Sequence, residues 1–275
     1  MSYCKAYLIH NKDPKRQKNR KTIKEFLKTF SIDTSSIYKQ NDLKDVKNKI
    51  ILKSKIISNK LNYSLSEYHY QKLISQKSKL FLLLNRYLNI IKIIIKYSFT
   101  SKKVDKTILK HIFIEQSVTS KHIKAWEAFV SSQKQIIIVF EDDIECNKNS
   151  HKEFSSLLDN LNQLMVDYPN LYIDLAGGFE AEKVLPIHKS RPIKPFDHFF
   201  KGIYTNTACG YLVNKDLIKT WLKMIDLNEN LKKLPIDHMI NALGNNCKNF
   251  AYSGHKKYPI FIHGSFVGNV KSWQS

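Results

Sequence analysis

The sequence predicts an α/β protein in which flanking helices cover an open, mixed and mostly parallel sheet. Short apolar runs, which are typical of buried strands, alternate with longer segments whose apolar residues recur every three or four positions, which is typical of amphipathic helices. The chain has 275 residues, of which 43% are hydrophobic, so it is long enough and apolar enough to bury a sizeable core. We expect one domain over residues 1–275.

The first part of the chain predicts one buried strand and a set of helices. Residues 5–10 form an apolar strand that leads into a basic loop, and residues 22–30 have the periodicity of an amphipathic helix. The short apolar run at residues 50–52 predicts an edge strand. Residues 61–97 predict a helical insertion within a divergent, basic segment that spans residues 31–110.

From residue 117 onward, strands and helices alternate regularly. Residues 136–140 form an uninterrupted apolar run that leads into Glu141, Asp142 and Asp143, which predicts a buried strand with an acidic tip. The other predicted strands lie at residues 171–175 and 208–213, and the predicted helices lie at residues 117–132, 150–167, 216–225 and 236–243. Open α/β sheets bind ligands at the carboxyl ends of their strands, so the acidic tip is the first candidate for a site.

The chain is strongly basic, with a net charge of +21, but the basicity belongs to one part of it. Residues 1–110 carry 26 Lys and Arg against 7 Asp and Glu, a net of +19, whereas residues 111–275 carry 19 against 17, a net of +2. Lysine provides 41 of the 45 basic residues, whereas proteins that read nucleic acid favour the bidentate arginine. We therefore expect no nucleic-acid partner. The lysines suit a diffuse anionic surface, or they reflect an AT-rich genome and have no binding role.

One segment of the basic part bears on membranes. Within residues 79–97, a helix would carry a narrow polar stripe and a wide apolar face; the stripe consists of Asn85, Asn89, Lys92 and Lys96. The uninterrupted apolar runs are too short to span a bilayer. Such a helix fits an anionic membrane surface or a partner groove, or it packs on the core of the protein itself.

The cysteines predict a reduced, cytoplasmic protein. They lie far apart and lack the spacing of a zinc site; they are Cys4, Cys146, Cys209 and Cys247. The opening residues lack the basic and apolar regions of a signal peptide. The sequence also lacks the glycine-rich motifs of dinucleotide and P-loop sites.

The acidic tip at residues 141–143 is the most informative stretch of the sequence. Adjacent carboxylates repel one another, so the stability of the fold alone does not account for the cluster. Mg²⁺ or Mn²⁺ relieves this repulsion because both cations prefer hard oxygen ligands, and either can bridge to a diphosphate. The cluster therefore predicts a divalent-cation site beside a nucleotide. The alternative is an ordinary solvated turn at the end of the strand.

Several short stretches around the acidic tip follow one another in a set order. They are Ile9-His10-Asn11 with Arg16 and Arg20, a helix with His122 and Trp126, the strand Val139-Phe140-Glu141-Asp142-Asp143-Ile144, residues 207–213, and Pro235-Ile236-Asp237. Together they resemble glycosyltransferase family 25, the lipopolysaccharide-biosynthesis and collagen-galactosyltransferase group, over residues 4–30 and 112–262. Where the family has Ser before the helix His, this chain has Lys121, with Ser120 one position earlier.

The resemblance implies a GT-A-type nucleotide-sugar fold and the inverting transfer of a sugar from a UDP-sugar to a cell-surface glycan such as lipooligosaccharide. UDP-galactose is the favoured donor, with UDP-glucose or an N-acetylated sugar as alternatives. It implies a Mn²⁺ or Mg²⁺ cofactor, with Glu141 and Asp143 facing the metal, the ribose or both, and Asp143 and Asp237 as the catalytic residues. His263 would join the metal ligands, as a C-terminal His does in many metal-dependent enzymes of this fold. Asp237 would be the general base that takes the proton of the acceptor hydroxyl. The donor would be bound by a further set of residues: Asn11, Arg16, Arg20, Glu141 and Asp142.

Some of these assignments have alternatives. Asp237 also suits a plain helix N-terminal carboxylate, which the helix dipole favours, and His263 also suits a structural residue at a strand end. Two other classes of protein are alternatives to the transferase: a metal-dependent nucleic-acid-binding protein, and a non-catalytic membrane-surface module with a degenerate transferase domain. The transferase would work in the cytoplasm, peripherally on the inner face of the membrane, close to a lipid-linked acceptor.

Overall fold

The structure, a computed structural model, describes residues 3–38, 49–74, 78–179 and 181–264. Within these ranges there are ten strands: β1 (Cys4–His10), β2 (Asp33–Tyr38), β3 (Ile136–Glu141), β4 (Ile144–Cys146), β5 (Leu171–Gly177), β6 (Arg191–Ile193), β7 (Phe196–Lys201), β8 (Gly210–Asn214), β9 (Tyr252–His255) and β10 (Phe261–His263). The α-helices of the same ranges are α1 (Gln17–Thr29), α2 (Lys49–Ile74), α3 (Lys79–Ser98), α4 (Lys102–Val130), α5 (Ser150–Asp167), α6 (Ala181–Val184), α7 (Lys215–Leu227) and α8 (Ile236–Cys247).

The strands of the described ranges form a single open, mixed sheet. Its order is β2-β1-β3-β8-β5-β9-β7-β6, and β10 pairs with both β5 and β4 beside this path. Along the path, β8 and β7 run against the other strands, which share one direction. The predicted class, an α/β fold with a mixed, mostly parallel sheet and flanking helices, is confirmed.

Both faces of the sheet are covered, which explains the uninterrupted apolar run of β3. All six residues of β3 are buried. On one face, α4, α7 and α8 contribute a core that includes Trp126 and Trp221. On the other face, α1 and α5 contribute a core that includes Phe154. The carboxyl end of β3 therefore emerges between two packed layers, which fixes the position of the acidic tip.

The predicted edge strand at residues 50–52 is wrong, because this run lies in the first turn of α2. A short apolar run does not distinguish a strand from a helix by itself. The contacts of the following turns decide the matter. Ile56 is fully buried, Asn59 donates a hydrogen bond to the carbonyl oxygen of Lys233 (3.1 Å), and Ser66 donates one to that of His238 (3.4 Å). These residues follow one face of a helix that packs beside α8.

Helix α4 begins well before the start predicted at residue 117. Its additional turns carry Leu109 and Ile112, which are buried with Ile56 of α2 in a small separate core. The basic segment therefore contributes β2 to the sheet and a layer of long helices beside it.

Helix α3 packs on α2 and turns most of its apolar side chains to solvent. Leu82 is buried, whereas the opposite face, which we call the outer face of α3, is exposed; it consists of Leu80, Phe81, Leu84, Tyr87, Leu88, Ile91, Ile94 and Ile95. Packing on the protein's own core therefore accounts for one side of this helix only. In the described part of the chain, no helix has both the length and the apolar character to cross a membrane.

Candidate active site

The acidic tip is buried rather than solvated. Glu141 is the last residue of β3, and Asp142 and Asp143 form the turn into β4. The exposed fractions of the three residues are 8%, 0% and 4%, respectively. The alternative of an ordinary solvated turn is therefore wrong. Burying carboxylates costs free energy unless cations or hydrogen-bond donors compensate them, and the three residues differ in this compensation.

Asp142 is fully compensated by α1 and the loop before it. Arg16 donates a hydrogen bond to one carboxylate oxygen of Asp142 (Nη1 to Oδ1, 2.9 Å), and Arg20 donates one to the other (Nη1 to Oδ2, 3.1 Å). Asn19 also binds the turn, since its Nδ2 donates to the carbonyl oxygens of Asp142 (2.8 Å) and Ile144 (2.7 Å). Asp142 therefore links α1 to the acidic tip and keeps the side chains of Arg16 and Arg20 beside it.

Glu141 is held by a chain of hydrogen bonds from α4 and β8. Trp126 Nε1 donates to the hydroxyl oxygen of Tyr211 (2.9 Å), that hydroxyl lies 2.7 Å from Nδ1 of His122, and His122 Nε2 lies 3.2 Å from Oε1 of Glu141. Burial and, to a smaller extent, the charge of Lys121 together lower the pKa of His122 to about 3, so the imidazole is neutral. All three hydrogen bonds are satisfied when the Tyr211 hydroxyl donates to Nδ1 and Nε2–H donates to Glu141.

The charges of Glu141 and Asp143 are poorly compensated. Burial raises the pKa of Glu141 to about 8; the charges of Asp142 and Asp237 also raise it, and those of Lys121 and Arg16 lower it. Burial and the charge of Glu141 raise the pKa of Asp143 to about 6, although His263 and Arg16, whose Nη1 lies 3.5 Å from Oδ2 of Asp143, lower it. The Oδ1 atom of Asp143 is buried without a hydrogen-bond partner among the described residues. The raised pKa values mean that both carboxylates resist ionisation in the protein alone. A bound cation would lower these pKa values and favour the ionised forms.

His263 lies beside Asp143. It is on β10, opposite Ile144 of β4, and the amide of the next residue, Gly264, donates a hydrogen bond to the carbonyl oxygen of Asp143 (2.7 Å). Burial lowers the pKa of His263, and the negative charge of Asp143 partly offsets this effect. Among the residues that the structure describes, no three His, Cys, Asp or Glu side chains are grouped to hold a metal ion. The side chains present could therefore supply only part of a coordination shell.

Asp237 lies in the first turn of α8, half-buried, as expected for a residue that follows Pro235 at a helix start. Its Oδ1 accepts a hydrogen bond from the amide of His238 (2.9 Å). Asp237 lines a cavity of about 260 Å³ together with Glu67 of α2 and Thr207. Because its charge also contributes to the raised pKa of Glu141, Asp237 and the acidic tip act on one another electrostatically.

The loop that leads into β8 is strained at this edge of the sheet. Thr207 and Ala208 have positive φ angles of 75° and 50°, which residues with a Cβ seldom adopt. Such strain persists only where the surrounding structure imposes it, and it concentrates at functional sites. The loop places the carbonyl oxygen of Cys209 where it accepts a hydrogen bond from the amide of Glu141 (2.8 Å), so it also supports the acidic tip.

Asn11 follows β1 at the same edge of the sheet. Its side-chain oxygen is buried without a hydrogen-bond partner among the described residues. The neighbouring rings of His10 and Tyr38 stack with centroids 5.6 Å apart, and Lys12 Nζ lies 3.6 Å from the centroid of the Tyr38 ring. An unsatisfied amide oxygen beside a stacked pair of rings is suited to a polar, planar ligand group such as a nucleobase.

Sequence reasoning missed one acidic residue of this region, Asp174. This buried residue lies within β5, where its Oδ2 accepts a hydrogen bond from the amide of Asn206 (2.7 Å) and lies 3.4 Å from Nδ1 of His255. The sequence signal that could have identified this residue is an acidic side chain in the middle of the otherwise apolar strand β5. Lys121, which the sequence marks only as a departure from the family that the chain resembles, also belongs to this region. It is 1% exposed, and its charge acts on both Glu141 and His122.

A second, larger cavity lies between α2, α3 and α4. Its volume is about 560 Å³, and its polar lining includes Lys60, Tyr63, Glu67, Lys92 and Lys96. Glu67 lines this cavity as well as the one beside Asp237, so the two cavities share a wall on α2.

Comparison with protein-family models gives no match to this chain, and comparison with curated protein sequences gives none either. The structure defines an α/β protein with a buried acidic cluster at the carboxyl end of β3.

Proposed function

We propose that the protein is a metal-dependent glycosyltransferase that moves a sugar from a nucleotide-sugar donor to a glycan acceptor. The observation that carries the proposal is the burial of Glu141 and Asp143 with too little compensating charge: their pKa values are raised to about 8 and about 6 although Arg16 Nη1 lies 3.5 Å from Oδ2 of Asp143. Asp143 also has a buried oxygen that lacks a hydrogen-bond partner among the described residues. Mn²⁺ or Mg²⁺ bound here would supply positive charge to the departing nucleoside diphosphate.

The convergence of distant segments supports this proposal. The carboxyl ends of β1 and β3 lie side by side, since Ile9 pairs with Glu141, and the strained loop before β8 bonds to Glu141. These segments carry the sequence stretches that resemble family 25, and α8 adds Asp237 through the cavity that it shares with that loop. A GT-A-type fold and membership of family 25 are part of the proposal.

The donor is proposed to lie across the ends of β1 and β3. Asn11 and the stacked His10 and Tyr38 rings would meet the nucleoside, because they offer an amide oxygen and an aromatic edge. Arg20, whose side chain is 14% exposed against 2% for Arg16, is the arginine better placed to meet the diphosphate. Asp142 keeps both arginines at the site without itself facing the donor.

Glu141, Asp143 and His263 are the proposed protein contribution to the cation site. His122 orients Glu141 through the hydrogen bond at 3.2 Å, and the neutral imidazole leaves the carboxylate its full charge once a cation is bound. The diphosphate and water would complete the coordination shell, since the described side chains do not form a complete one.

Asp237 is the proposed general base. It borders a cavity large enough for part of a sugar acceptor, and its carboxylate would take the proton of the attacking hydroxyl. The bond from that oxygen to the anomeric carbon forms as the bond to the diphosphate breaks, which inverts the anomeric configuration. UDP-galactose and a lipooligosaccharide-like acceptor are the substrates we propose.

A thermal-shift panel tests the proposal. UDP, UDP-galactose, UDP-glucose and UDP-N-acetylglucosamine are each added with and without Mn²⁺, and the Tm is measured. We expect the Tm to rise when Mn²⁺ and a UDP-sugar are present together, because a ligand that binds only the folded state stabilises it.

Two results would contradict the transferase. If no nucleotide sugar shifts the Tm and DNA is instead retained in a steeply salt-dependent manner, a nucleic-acid-binding protein is indicated. If UDP-sugar binds without any turnover on lipid-linked or free glycan acceptors, the chain is a degenerate transferase domain.

A further inference from the structure

The outer face of α3 is a continuous apolar surface that the fold leaves in solvent. Leu80 is 77% exposed, Tyr87 58% and Ile95 56%, and Phe99 just beyond the helix is 86% exposed. At 3.6 residues per turn, the exposed apolar side chains occupy an arc of roughly 140° along the whole helix. A contiguous apolar patch of this length on a soluble surface marks a place where something binds.

The charges around this face are of one sign. Residues 79–98 contain no Asp or Glu, whereas Lys79, Arg86, Lys92 and Lys96 are basic. Lys92 and Lys96 are exposed and stand at one border of the apolar arc. Long lysine side chains at such a border can lay their methylene groups along the apolar surface and extend their ammonium groups toward phosphate.

We infer that the outer face of α3 docks the protein on an anionic lipid bilayer. The helix would lie in the plane of the interface, with residues such as Ile91 below the headgroups and Lys92 and Lys96 among the phosphates. A second copy of this chain would satisfy the apolar side chains alone and would bring two lysine-bordered surfaces of like charge together. The inference is independent of the proposed transferase activity.

Vesicle flotation with the full chain tests the inference. The probes are phosphatidylcholine vesicles with and without roughly 30% phosphatidylglycerol, at low and high salt. We expect the protein to float with the anionic vesicles, to float weakly with neutral ones, and to lose most of its anionic preference at high salt.

The decisive variants lie on the outer face of α3. The double variant Ile91→Asp/Ile95→Asp should weaken binding to anionic vesicles by about tenfold or more, because it places carboxylates where acyl chains would be. Lys92→Gln and Lys96→Gln should each weaken binding about fivefold at low salt and have little effect at high salt. The matched controls, Val166→Asp on α5 and Leu227→Asp on α7, change side chains that are 76% and 87% exposed and should bind as the unmodified protein does.

Two outcomes would overturn the inference. The first is unchanged flotation of Ile91→Asp/Ile95→Asp. The second is a wild-type dimer in sedimentation velocity that this variant converts to a monomer while its vesicle binding persists, which would assign the face to self-association. If the aspartate variant does not fold, as judged by its Tm, the flotation of Ile91→Ser/Ile95→Ser and of the lysine variants tests the inference instead. Unchanged flotation of these variants would overturn it.

Discussion

The acidic tip of β3 and the outer face of α3 depart from the usual distribution of side chains in opposite ways. The tip buries three carboxylates in the nearly neutral part of the chain, whereas α3 exposes a row of large apolar side chains in the strongly basic part. Each departure costs the isolated protein free energy, and each would be relieved by a different ligand: a cation with a diphosphate at the tip, and a lipid surface on α3.

The acidic tip contains a second comparison, between neighbouring residues. Asp142 has two arginine partners and serves the fold, whereas Asp143 has a buried oxygen without a hydrogen-bond partner among the described residues. Adjacent carboxylates can therefore have opposite roles, and substitutions at these positions should separate stability from activity.

The largest effect is expected for Asp143→Asn. This change removes the negative charge that a cation would neutralise, so we expect donor-dependent transfer to fall about a thousandfold and the Mn²⁺-dependent Tm increase with UDP-sugar to disappear. The Tm of the protein without ligands should stay nearly the same, because relief from burying a charge offsets the loss of the contact between Arg16 and Asp143 (3.5 Å). A large drop of that Tm would assign Asp143 to the fold.

Asp142→Asn should have the opposite signature. Its loss of charge removes the closer carboxylate partner of the buried Arg16 and leaves the longer contact with Asp143 (3.5 Å), so we expect the free energy of unfolding to decrease by about 3 kcal/mol. Chemical denaturation measures this change. Arg20→Gln is the matched control: the Arg20 side chain is 14% exposed, so its loss should cost roughly 1 kcal/mol. Equal stability of Asp142→Asn and the wild type would contradict the structural role.

Asp237→Asn should lower turnover without changing donor binding. The amide does not accept the proton of the acceptor hydroxyl, so we expect kcat to fall about a hundredfold, whereas the thermal shift with Mn²⁺ and UDP-sugar persists. Steady-state kinetics and the shift assay check the two parts separately. If kcat is unchanged, Asp237 is only the helix N-terminal carboxylate.

The smallest effect concerns pH. Burial raises the pKa of Glu141 to about 8 in the folded state, so the unfolded chain releases this proton at a lower pH than the folded protein does. As the pH rises, the free energy of unfolding therefore decreases, until the pH exceeds about 8. Glu141→Gln should remove this loss, which is on the order of 1–2 kcal/mol between about pH 6, near the pKa of Asp143, and about pH 8, near that of Glu141. Melting curves between pH 5 and 8, without metal, measure the difference. Parallel slopes for the variant and the wild type would contradict the expectation.

The elements with strong patterns were predictable from the sequence. The predicted helix at residues 150–167 coincides with α5, and the apolar run at residues 136–140 is β3 without its last residue. The edge strand at residues 50–52 was wrong because the packing of α2 beside α8, which the local sequence does not contain, decides the conformation.

A local sequence pattern predicts only part of the candidate site. The three acids and Asp237 could be named from their positions after a strand and at a helix start. The difference between Asp142 and Asp143 depends on where Arg16 and Arg20 point, and the hydrogen-bonded pair of Asp174 and the Asn206 amide joins segments that are far apart in sequence.

The shared wall at Glu67 has a kinetic consequence. If a bilayer lies along the outer face of α3, Lys92 and Lys96 would stand between the headgroups and the larger cavity that they line. Glu67 lines both that cavity and the one beside Asp237. A lipid-anchored acceptor could then reach Asp237 by lateral diffusion. Turnover would follow the surface density of the acceptor in the leaflet rather than its bulk concentration.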